Sequence, residues 1–412
     1  MFKNKLYENI LALTTIKGLQ YLLAFVTFPY LTRVLQVEMF GAVVFAQGVI
    51  NYFTLFTDYG FNLLGPKEIA QNDDIIKRGK IFANIFFAKV LLLVIATIIF
   101  LISAFVLSKY FNADIWLYAV VYITVIGNVI FPVWFFQGVQ QMRYITIVNI
   151  IARLFSIVGI FYFVKQPQDY LLAALFQAIV PLIAGISSWI ILIEHFPEVL
   201  CLPKLKDIKS TLTDGWSIFI STVAINLYTA SNIVFLGIFT NPVTVGYFSG
   251  AQKIIDNVKQ LLGPISQAIY PHISKLVKES PQSVKPFLRK VILVLGGGNL
   301  LLSIFIFIFA KSIVDILLGS GYEESVILLR IMSFLPFIIA LSNVFGIQIM
   351  LPFGMQSTFS KILICAAVLN TCMVIPLILL YQDIGVSVSI VITECFVTAV
   401  MFYMLKKNKI WS

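Results

Sequence analysis

The stretch that determines the fold runs from Phe28 to Ala70 and reads FPYLTRVLQVEMFGAVVFAQGVINYFTLFTDYGFNLLGPKEIA. It consists of the outer end of one membrane span, a short polar turn, a second span and a basic loop on the far side. Part of it returns later in the chain, because GAVVFAQ at residues 41–47 is echoed by GYFSGAQ at residues 246–252. The offset of 205 residues (246 minus 41) is close to half of the 412-residue chain. A repeat at this offset predicts two similar lobes.

The composition is typical of an integral membrane protein. Hydrophobic residues make up 60% and charged residues 12% of the sequence, and the mean hydropathy is +0.96, whereas soluble domains contain about 25% charged residues. The formal net charge is +10 at pH 7, but the basic residues stand in short loops between apolar runs. Basic residues in such loops orient membrane spans, so the composition argues against nucleic-acid binding.

The cysteines and histidines do not have the spacing of metal ligands in the sequence. The four cysteines form no CxxC pair and have no histidine nearby, so they are interpreted as small apolar residues packed in helices. They are Cys201, Cys365, Cys372 and Cys395. The N-terminal segment MFKNKLYENI leads into a span without a small-residue cleavage site, and we interpret it as a retained first helix rather than a signal peptide.

Twelve apolar runs are long enough to cross about 30 Å of hydrocarbon at about 1.5 Å per residue. The first six are residues 11–31, 40–64, 81–107, 116–136, 144–163 and 171–193. After a polar connector at residues 194–214, the other six are residues 216–240, 245–273, 291–310, 331–350, 362–381 and 385–405. The sequence therefore predicts an all-α integral membrane protein with 12 transmembrane helices in two pseudo-symmetric six-helix lobes, residues 1–200 and 201–412.

The distribution of Lys and Arg predicts the orientation of these spans. Nineteen basic residues fall in loops on the side of the N-terminus and five fall on the opposite side. Because cytoplasmic loops hold an excess of Lys and Arg, both termini are predicted to be cytoplasmic. The alternation also favours an even number of spans.

Five basic residues remain inside the predicted spans. A charged residue costs about 2.5–3.5 kcal/mol at a helix centre, so it normally faces a bundle interior or a watery cavity. These candidate substrate-binding residues are Lys17, Lys89, Arg153, Lys253 and Lys259. Lys17 and Asp58 have similar depths in the first two spans, so they could form an ion pair. The alternatives for Lys17 are that its side chain extends to the interface or that it contacts substrate. Lys89 is expected to extend to the interface or to contact substrate.

Two groups of charges suit an anionic headgroup. Lys253, Asp256 and Lys259 are spaced by three, so consecutive members are helix neighbours, and one acid balances only part of two bases. The alternative is a purely structural network. Arg153, near mid-depth with no acid in its helix, can bind phosphate through two parallel hydrogen bonds. Glu394, near mid-depth in the last span, relays a proton or serves as a counter-ion.

Weaker signals come from amides, prolines and glycines within spans. Asn51, Asn226, Tyr228 and Asn232 are suited to hydrogen bonds with sugar hydroxyls or with neighbouring helices. Prolines in spans bend their helices. The run of glycines at residues 296–298 predicts the close approach of a neighbouring helix.

The opening stretch resembles bacterial polysaccharide flippases of the Wzx type, which belong to the multidrug/oligosaccharidyl-lipid/polysaccharide exporter superfamily. The resemblance rests on FPYLTRVL, FGAVVFAQ, DYGF and KEIA, and on VGYFSGAQKI, LGP and IYPHISKL in the second half. Gly138-Val-Gln140 and Gly354-Met-Gln356 resemble a further shared element. The similarity in span order and length covers essentially the whole chain, and the motifs are specific together rather than singly.

The resemblance implies two lobes around a central cavity that opens alternately to either side of the bacterial inner membrane. It also implies an undecaprenyl-pyrophosphate-linked oligosaccharide as substrate, moved to the periplasmic leaflet for O antigen or a related polysaccharide. Membrane lipids, a polysaccharide polymerase and a chain-length regulator are the implied partners. The family uses basic cavity residues on the first, second and eighth spans; Lys17, Lys253 and Lys259 fall on two of these, while the second span here has no basic residue.

Energy coupling and other functions remain open at this point. The sequence has no Walker A motif, so direct use of ATP is not expected and no cofactor is predicted. Coupling to H+ or Na+ would use Asp58, Asp256 or Glu394. The alternatives are a multidrug or organic-cation antiporter of the same superfamily, a membrane-embedded glycan polymerase or ligase, and a polytopic scaffold.

Overall fold

The computed structural model describes the backbone of residues 2–72, 74–111, 114–260, 262–279, 284–408 and 410. Side chains are described in these ranges except at residues 2–25, 106–111, 221, 224, 225, 227–229, 264, 267, 268, 271, 272, 278, 279 and 285. The regular structure in these ranges is helical. A helix satisfies its own backbone hydrogen bonds, which is the requirement for a single segment that crosses lipid.

The helices follow the predicted apolar runs in chain order. In the first half they are α1 (Phe2–Asp58), α2 (Phe61–Ala70), α3 (Ile75–Phe111), α4 (Ile115–Ile130), α5 (Val133–Gly138), α6 (Met142–Phe163) and α7 (Tyr170–His195). They continue with α8 (Leu205–Thr229), α9 (Ser231–Phe239), α10 (Pro242–Gln260), α11 (Leu262–Glu279), α12 (Val284–Val291), α13 (Gly297–Ile308), α14 (Ala310–Leu317), α15 (Ser325–Met332), α16 (Leu335–Asn343) and α17 (Gln356–Lys407). Single π-helical segments, Ile292–Gly296 and Val344–Met350, precede α13 and follow α16.

Eight helical stretches among the described residues are long and apolar enough to cross a membrane. Two of them, Val26–Ala70 with 45 residues and Gln356–Lys407 with 52 residues, exceed twice the length of about 20 residues that one span needs. Each is interrupted by a residue with positive φ, Gln36 in α1 (φ 57°) and Gln382 in α17 (φ 50°). Both interruptions lie in turns that the sequence predicts between consecutive spans.

The prolines and glycines have different effects. Pro132 separates α4 from α5, as expected of a residue that lacks a backbone N–H. The indole of Trp189 donates to the Ile130 carbonyl at 3.0 Å beside this break. The expected close approach at residues 296–298 is wrong for two of the three glycines, because a Cβ added at Gly297 or Gly298 would meet no atom within 4 Å.

The chain forms two compact units. The N-terminal unit comprises residues 15–27 and 43–223, and the C-terminal unit comprises residues 2–14, residues 28–42 and the chain from residue 224 onward. The core of the N-terminal unit is aromatic, and its central rings are less than 2% exposed. These rings are Phe82, Trp134, Phe135 and Phe136.

The C-terminal unit has its own core, which includes part of α1. The π-helical segment Val344–Met350 packs with α17 through residues that include Ile349 and Met401. The phenol of Tyr322, which is 1% exposed, donates to the Thr32 carbonyl at 3.3 Å. Burial raises the pKa of that phenol above its ordinary value, so it stays a donor. Residues 28–42 are therefore attached to a unit that is formed chiefly by the second half of the sequence.

Candidate functional site: a polar cavity in the C-terminal unit

A polar cavity of about 220 Å³ lies among α9, α10 and α17 of the C-terminal unit. Three of its residues on α10 are spaced by four and three positions, which places them on one face of that helix. The lining residues are Asn232, Gln252, Asp256, Lys259, Asn370, Ile390, Thr393 and Glu394. The structure thus brings together three of the predicted charged residues, Asp256, Lys259 and Glu394.

The cavity carries one more acid than base. Lys259 Nζ lies 2.6 Å from Asp256 Oδ1 in an ion pair within α10, and Glu394 reaches the same cavity from α17. Lys253, by contrast, is exposed and does not line the cavity. Successive residues of a helix are turned by about 100°, so Lys253 points away from the face that carries Gln252. The expected surplus of positive charge is therefore not found here.

Three carboxamide oxygens in the cavity wall lack a hydrogen-bond donor within the described part of the chain. They are Asn232 Oδ1, Gln252 Oε1 and Asn370 Oδ1. Asn232 is 3% and Asn370 is 1% exposed, and the Asn370 amide nitrogen already donates to Thr393 Oγ1 at 3.2 Å. A buried acceptor without a donor costs about 1–3 kcal/mol. The wall is therefore suited to a ligand that supplies positive charge or hydrogen-bond donors.

Lys89 lies in a second charged cluster, within the N-terminal unit. Its Nζ lies 3.3 Å from Asp58 Oδ1 and 3.3 Å from the carbonyl oxygen of Asn128. Asn62 donates a further hydrogen bond of 2.7 Å to the same Asp58 oxygen. Lys89 is only 2% exposed, so its ammonium does not extend to the interface, contrary to that expectation, and its nearest acid is Asp58.

Two predicted cations remain apart from these clusters. Arg153 is partly buried on α6, and its Nε is buried without a partner among the described residues. The side chain of Lys17 lies outside the described residues. Its proposed pairing with Asp58 is therefore not described, whereas the pairing of Asp58 with Lys89 is.

Sequence reasoning missed Gln252, Asn370 and Thr393 as site residues. Gln252 had a usable signal, because it stands four residues before Asp256 on the same helix face and ends the repeated GYFSGAQ segment. Asn370 and Thr393 stand alone in apolar runs. Only the packing of α17 against α9 and α10 shows that they face Lys259.

About two thirds of the sequence matches a protein family model. Residues 6–277 match the model of the family described as polysaccharide biosynthesis protein. A protein of Escherichia coli (strain K12) named "Putative O-antigen transporter" is 37% identical over 412 residues, which cover 99% of this chain and 98% of that protein. These findings confirm the resemblance identified from the sequence, and the relative's name describes a transporter.

Two solved structures share the fold at low sequence identity. A multidrug resistance MATE family transporter of the MOP superfamily gives a TM-score of 0.72 at 12% identity, covering 94% of this chain and 98% of that chain. Lipid II flippase MurJ gives a TM-score of 0.72 at 10% identity, covering 96% of this chain and 87% of that chain. This similarity, together with the apolar helices, supports a multi-pass membrane protein. On the evidence of the matched family model and the full-length relative, the chain belongs to the polysaccharide biosynthesis protein family.

Proposed function

We propose that this protein is a flippase that moves an undecaprenyl-pyrophosphate-linked oligosaccharide, an O-antigen unit or a related repeat, from the cytoplasmic to the periplasmic leaflet. The observation that carries the proposal is a cavity, in a multi-pass chain of this family, that combines a lysine ammonium with unpaired amide oxygens. An ammonium binds phosphate, and amide oxygens accept hydrogen bonds from sugar hydroxyls. The phosphate and the sugar of a lipid-linked headgroup therefore each have complementary groups in one cavity.

Lys259 is the proposed phosphate contact of the C-terminal unit. Its ammonium is held by Asp256 at 2.6 Å, so a pyrophosphate must compete with that carboxylate. Arg153 is the proposed contact on α6, since a buried guanidinium nitrogen without a partner among the described residues can bind phosphate. Lys17, whose side chain lies outside the described residues, is proposed from the sequence alone. We assign Lys89 a structural role, because its charge is already balanced by Asp58.

Asp256 and Glu394 are the proposed coupling groups. A cation that neutralises Asp256 frees Lys259 for phosphate, so the binding of cation and substrate is linked, and the linkage is reciprocal. H+ and Na+ both suit two carboxyl groups beside unpaired amide oxygens. We do not assign Asp58 a role in ion coupling, because it forms an ion pair with Lys89.

The proposed topology has twelve spans with both termini in the cytoplasm of a bacterial inner membrane. Eight candidate spans are present among the residues that the structure describes, and the kinks at Gln36 and Gln382 divide two of them in two, which makes ten. Helices α8–α9 and α10–α11 supply the remaining two. We retain two lobes, residues 1–200 and 201–412, as the proposed pseudo-symmetric halves around a substrate cavity, with the polymerase and the chain-length regulator as partners downstream.

The test is rescue of surface polysaccharide in a flippase-null strain that makes the cognate repeat unit. Wild-type protein should restore the polymer, and Lys259→Met at matched membrane abundance should accumulate lipid-linked repeat on the cytoplasmic side. Arg153→Ala and Lys17→Ala extend the test to the other proposed contacts. Failure of the wild-type protein to restore polymer would refute the flippase.

A second candidate function is antiport of organic cations. The observation that favours it is the excess of carboxyl groups in the cavity, Asp256 and Glu394 against Lys259. Overexpression in a strain without drug exporters would then raise resistance to cationic dyes, and Glu394→Gln would abolish that resistance. An unchanged resistance profile together with polymer rescue rejects this candidate.

A further inference from the structure

The helix positions that line the cavity on α10 recur in the N-terminal unit without their charges. On α10 these positions are Gln252, Asp256 and Lys259. The residues that precede them by 205 positions (252 minus 47, 256 minus 51 and 259 minus 54) lie on α1 and are Gln47, Asn51 and Thr54. Both sets are spaced by four and three, so each set shares one face of its helix. The repeated face is therefore polar in both units, but an acid and a base on α10 correspond to an amide and a hydroxyl on α1.

The neutral face of α1 meets a second amide on α7. Gln47 Nε2 donates to Gln177 Oε1 at 3.3 Å, and both residues belong to the N-terminal unit. Gln177 is on the sixth predicted span, whereas Glu394, which reaches the cavity of the C-terminal unit, is on the twelfth. Each unit thus combines the repeated face with a polar residue from the last predicted span of its half. That residue is a carboxyl in the C-terminal unit and a carboxamide in the N-terminal unit.

The two glutamines keep unused hydrogen-bonding capacity. Gln177 Nε2 donates to the Ala173 carbonyl at 3.0 Å, so hydrogen bonds run from Gln47 through Gln177 to the backbone of α7. A carboxamide has two N–H donors and an oxygen that accepts. One N–H of each glutamine and the oxygen of Gln47 are therefore left without a partner in the described part of the chain. Donors and an acceptor side by side match a sugar hydroxyl, which both donates and accepts.

Asn51 indicates that this face lies along water and not along lipid. It is exposed, it makes no hydrogen bond to the other described residues, and it stands near the middle of the predicted span at residues 40–64. An unpaired amide in contact with hydrocarbon is costly, and polar residues in spans normally face a bundle interior or a water-filled cavity. Because Gln47 is one helical turn away on the same side, the pair of glutamines is accessible from the same water.

The cavity of the C-terminal unit is too small for a whole lipid-linked oligosaccharide. Its volume is about 220 Å³, whereas pockets for drug-sized ligands measure about 300–1,000 Å³. A repeat unit of several sugars therefore needs polar surface in addition to that cavity. A site that bonds sugar hydroxyls also discriminates strongly, because an analogue without them leaves its amides unpaired.

We propose that Gln47, Gln177 and Asn51 form a neutral sugar-binding subsite of the N-terminal unit that determines which repeat unit is accepted. The subsite rests on the proposed flippase function and adds to it residues that contact the oligosaccharide rather than the pyrophosphate. Its three members are uncharged amides, so it contributes affinity for sugar hydroxyls and little for phosphate. The bond at 3.3 Å already holds the two glutamines together, which reduces the side-chain freedom that is lost on binding.

The experiment compares the binding of two lipids to the purified full-length protein. One is undecaprenyl pyrophosphate without sugar, and the other is the lipid-linked repeat extracted from a flippase-null strain that makes it. Wild-type protein should bind the repeat several-fold more tightly. Gln47→Met and Gln177→Met, which keep the side-chain length, should each weaken binding of the repeat by about 2- to 12-fold, because each removes a neutral hydrogen bond. Both variants should bind undecaprenyl pyrophosphate as the wild type does, whereas Lys259→Met should weaken binding of both lipids.

Asn51→Leu separates sugar binding from a structural effect, because Asn51 has no hydrogen bond within the described part of the chain to lose. It should lower the affinity for the repeat alone. Asn149→Leu is the matched control in the same unit, since that amide donates to the Ile145 carbonyl of its own helix at 2.8 Å. The control should bind both lipids as the wild type does. If the glutamine variants do not fold, Asn51→Leu decides the question.

The outcomes separate the subsite from the flippase. Equal weakening of both lipids by the variants assigns the amides a structural role and overturns the subsite, and unchanged affinity for both lipids overturns it as well. A wild-type protein that binds both lipids equally overturns the subsite and leaves the flippase standing. A wild-type protein that binds neither lipid overturns the flippase.

Discussion

At the scale of single residues, Lys259 is the proposed substrate contact in the cavity of the C-terminal unit. It is the cavity's basic residue beside two acids, and its ammonium is paired with Asp256. A lysine suits this position because its charge sits on a flexible stem and can move from a carboxylate to a phosphate. The exchange of partners at one ammonium is therefore the proposed link between substrate and coupling ion.

Lys259→Met should reduce polymer export about 10- to 150-fold, because a hydrogen bond to a charged group contributes about 1.5–3 kcal/mol. Lys259→Arg keeps the charge and should retain part of the export. Lys253→Met is the control, since this lysine is on the same helix but exposed. The measurement is surface polymer per unit of membrane protein. Equal export by Lys259→Met and Lys253→Met contradicts a substrate role for Lys259.

The coupling ion can be identified from ligand-dependent stability. A ligand that binds only the folded state raises the unfolding temperature with concentration, so a Na+ site should give a Na+-dependent rise at constant ionic strength. Asn370→Ala, which removes an unpaired oxygen of the cavity wall, should abolish that rise. Asn299→Ala is the control, because this amide donates to the Leu295 carbonyl outside the cavity. A rise that depends on pH but not on Na+ identifies H+ instead. If the unfolding temperature rises with neither ion, the coupling role is contradicted.

At the scale of the elements, the ion pair between Lys89 and Asp58 links three helices of the N-terminal unit. It joins the last residue of α1 to α3 and, through the Asn128 carbonyl, to the last turn of α4. A buried pair satisfied by further hydrogen bonds fixes geometry, while removal of one partner leaves an uncompensated charge. The N-terminal unit therefore depends on both members of the pair.

Lys89→Met should destabilise the purified protein by up to about 3 kcal/mol, because it leaves the carboxylate of Asp58, which is 20% exposed, without its cation. Asp58→Asn should act in the same direction. The double variant, Lys89→Met with Asp58→Asn, should recover most of the loss, since neither charge then remains. Thermal unfolding in detergent measures the effect, with Lys253→Met as the exposed control. A double variant as unstable as the sum of the single variants contradicts the pairing.

At the scale of the whole molecule, the proposed topology follows from loops rather than from buried residues. Basic residues concentrate in loops on one side, nineteen against five, and this bias sets orientation during insertion. In the proposed topology, the connection between α13 and α15, which contains α14, lies on the outer side. The next connection, at residues 351–355, is then cytoplasmic.

Reporter fusions should confirm this alternation. Alkaline phosphatase fused after Gly319 should be active, because that enzyme folds only outside the cytoplasm, and the same enzyme fused after Gly354 should be inactive. A fluorescent protein fused after the C-terminus should be bright in cells. Inverted activities at Gly319 and Gly354 would show that the number of spans before α14 is wrong.

The sequence by itself determined the class, the family and the course of the helices. Hydropathy and loop charge are local properties, so the turns at Gln36 and Gln382 could be located before any packing was known. The polar contacts between helices could not be located in this way, because they join residues that are distant in the chain. Asn370, for example, follows Lys259 by 111 residues (370 minus 259). Only the tertiary structure decided that Lys89 neutralises Asp58, that Lys253 faces away and that Glu394 faces Lys259. The physical reason is that spacing along one helix fixes which residues share a face, whereas helix packing fixes what that face meets.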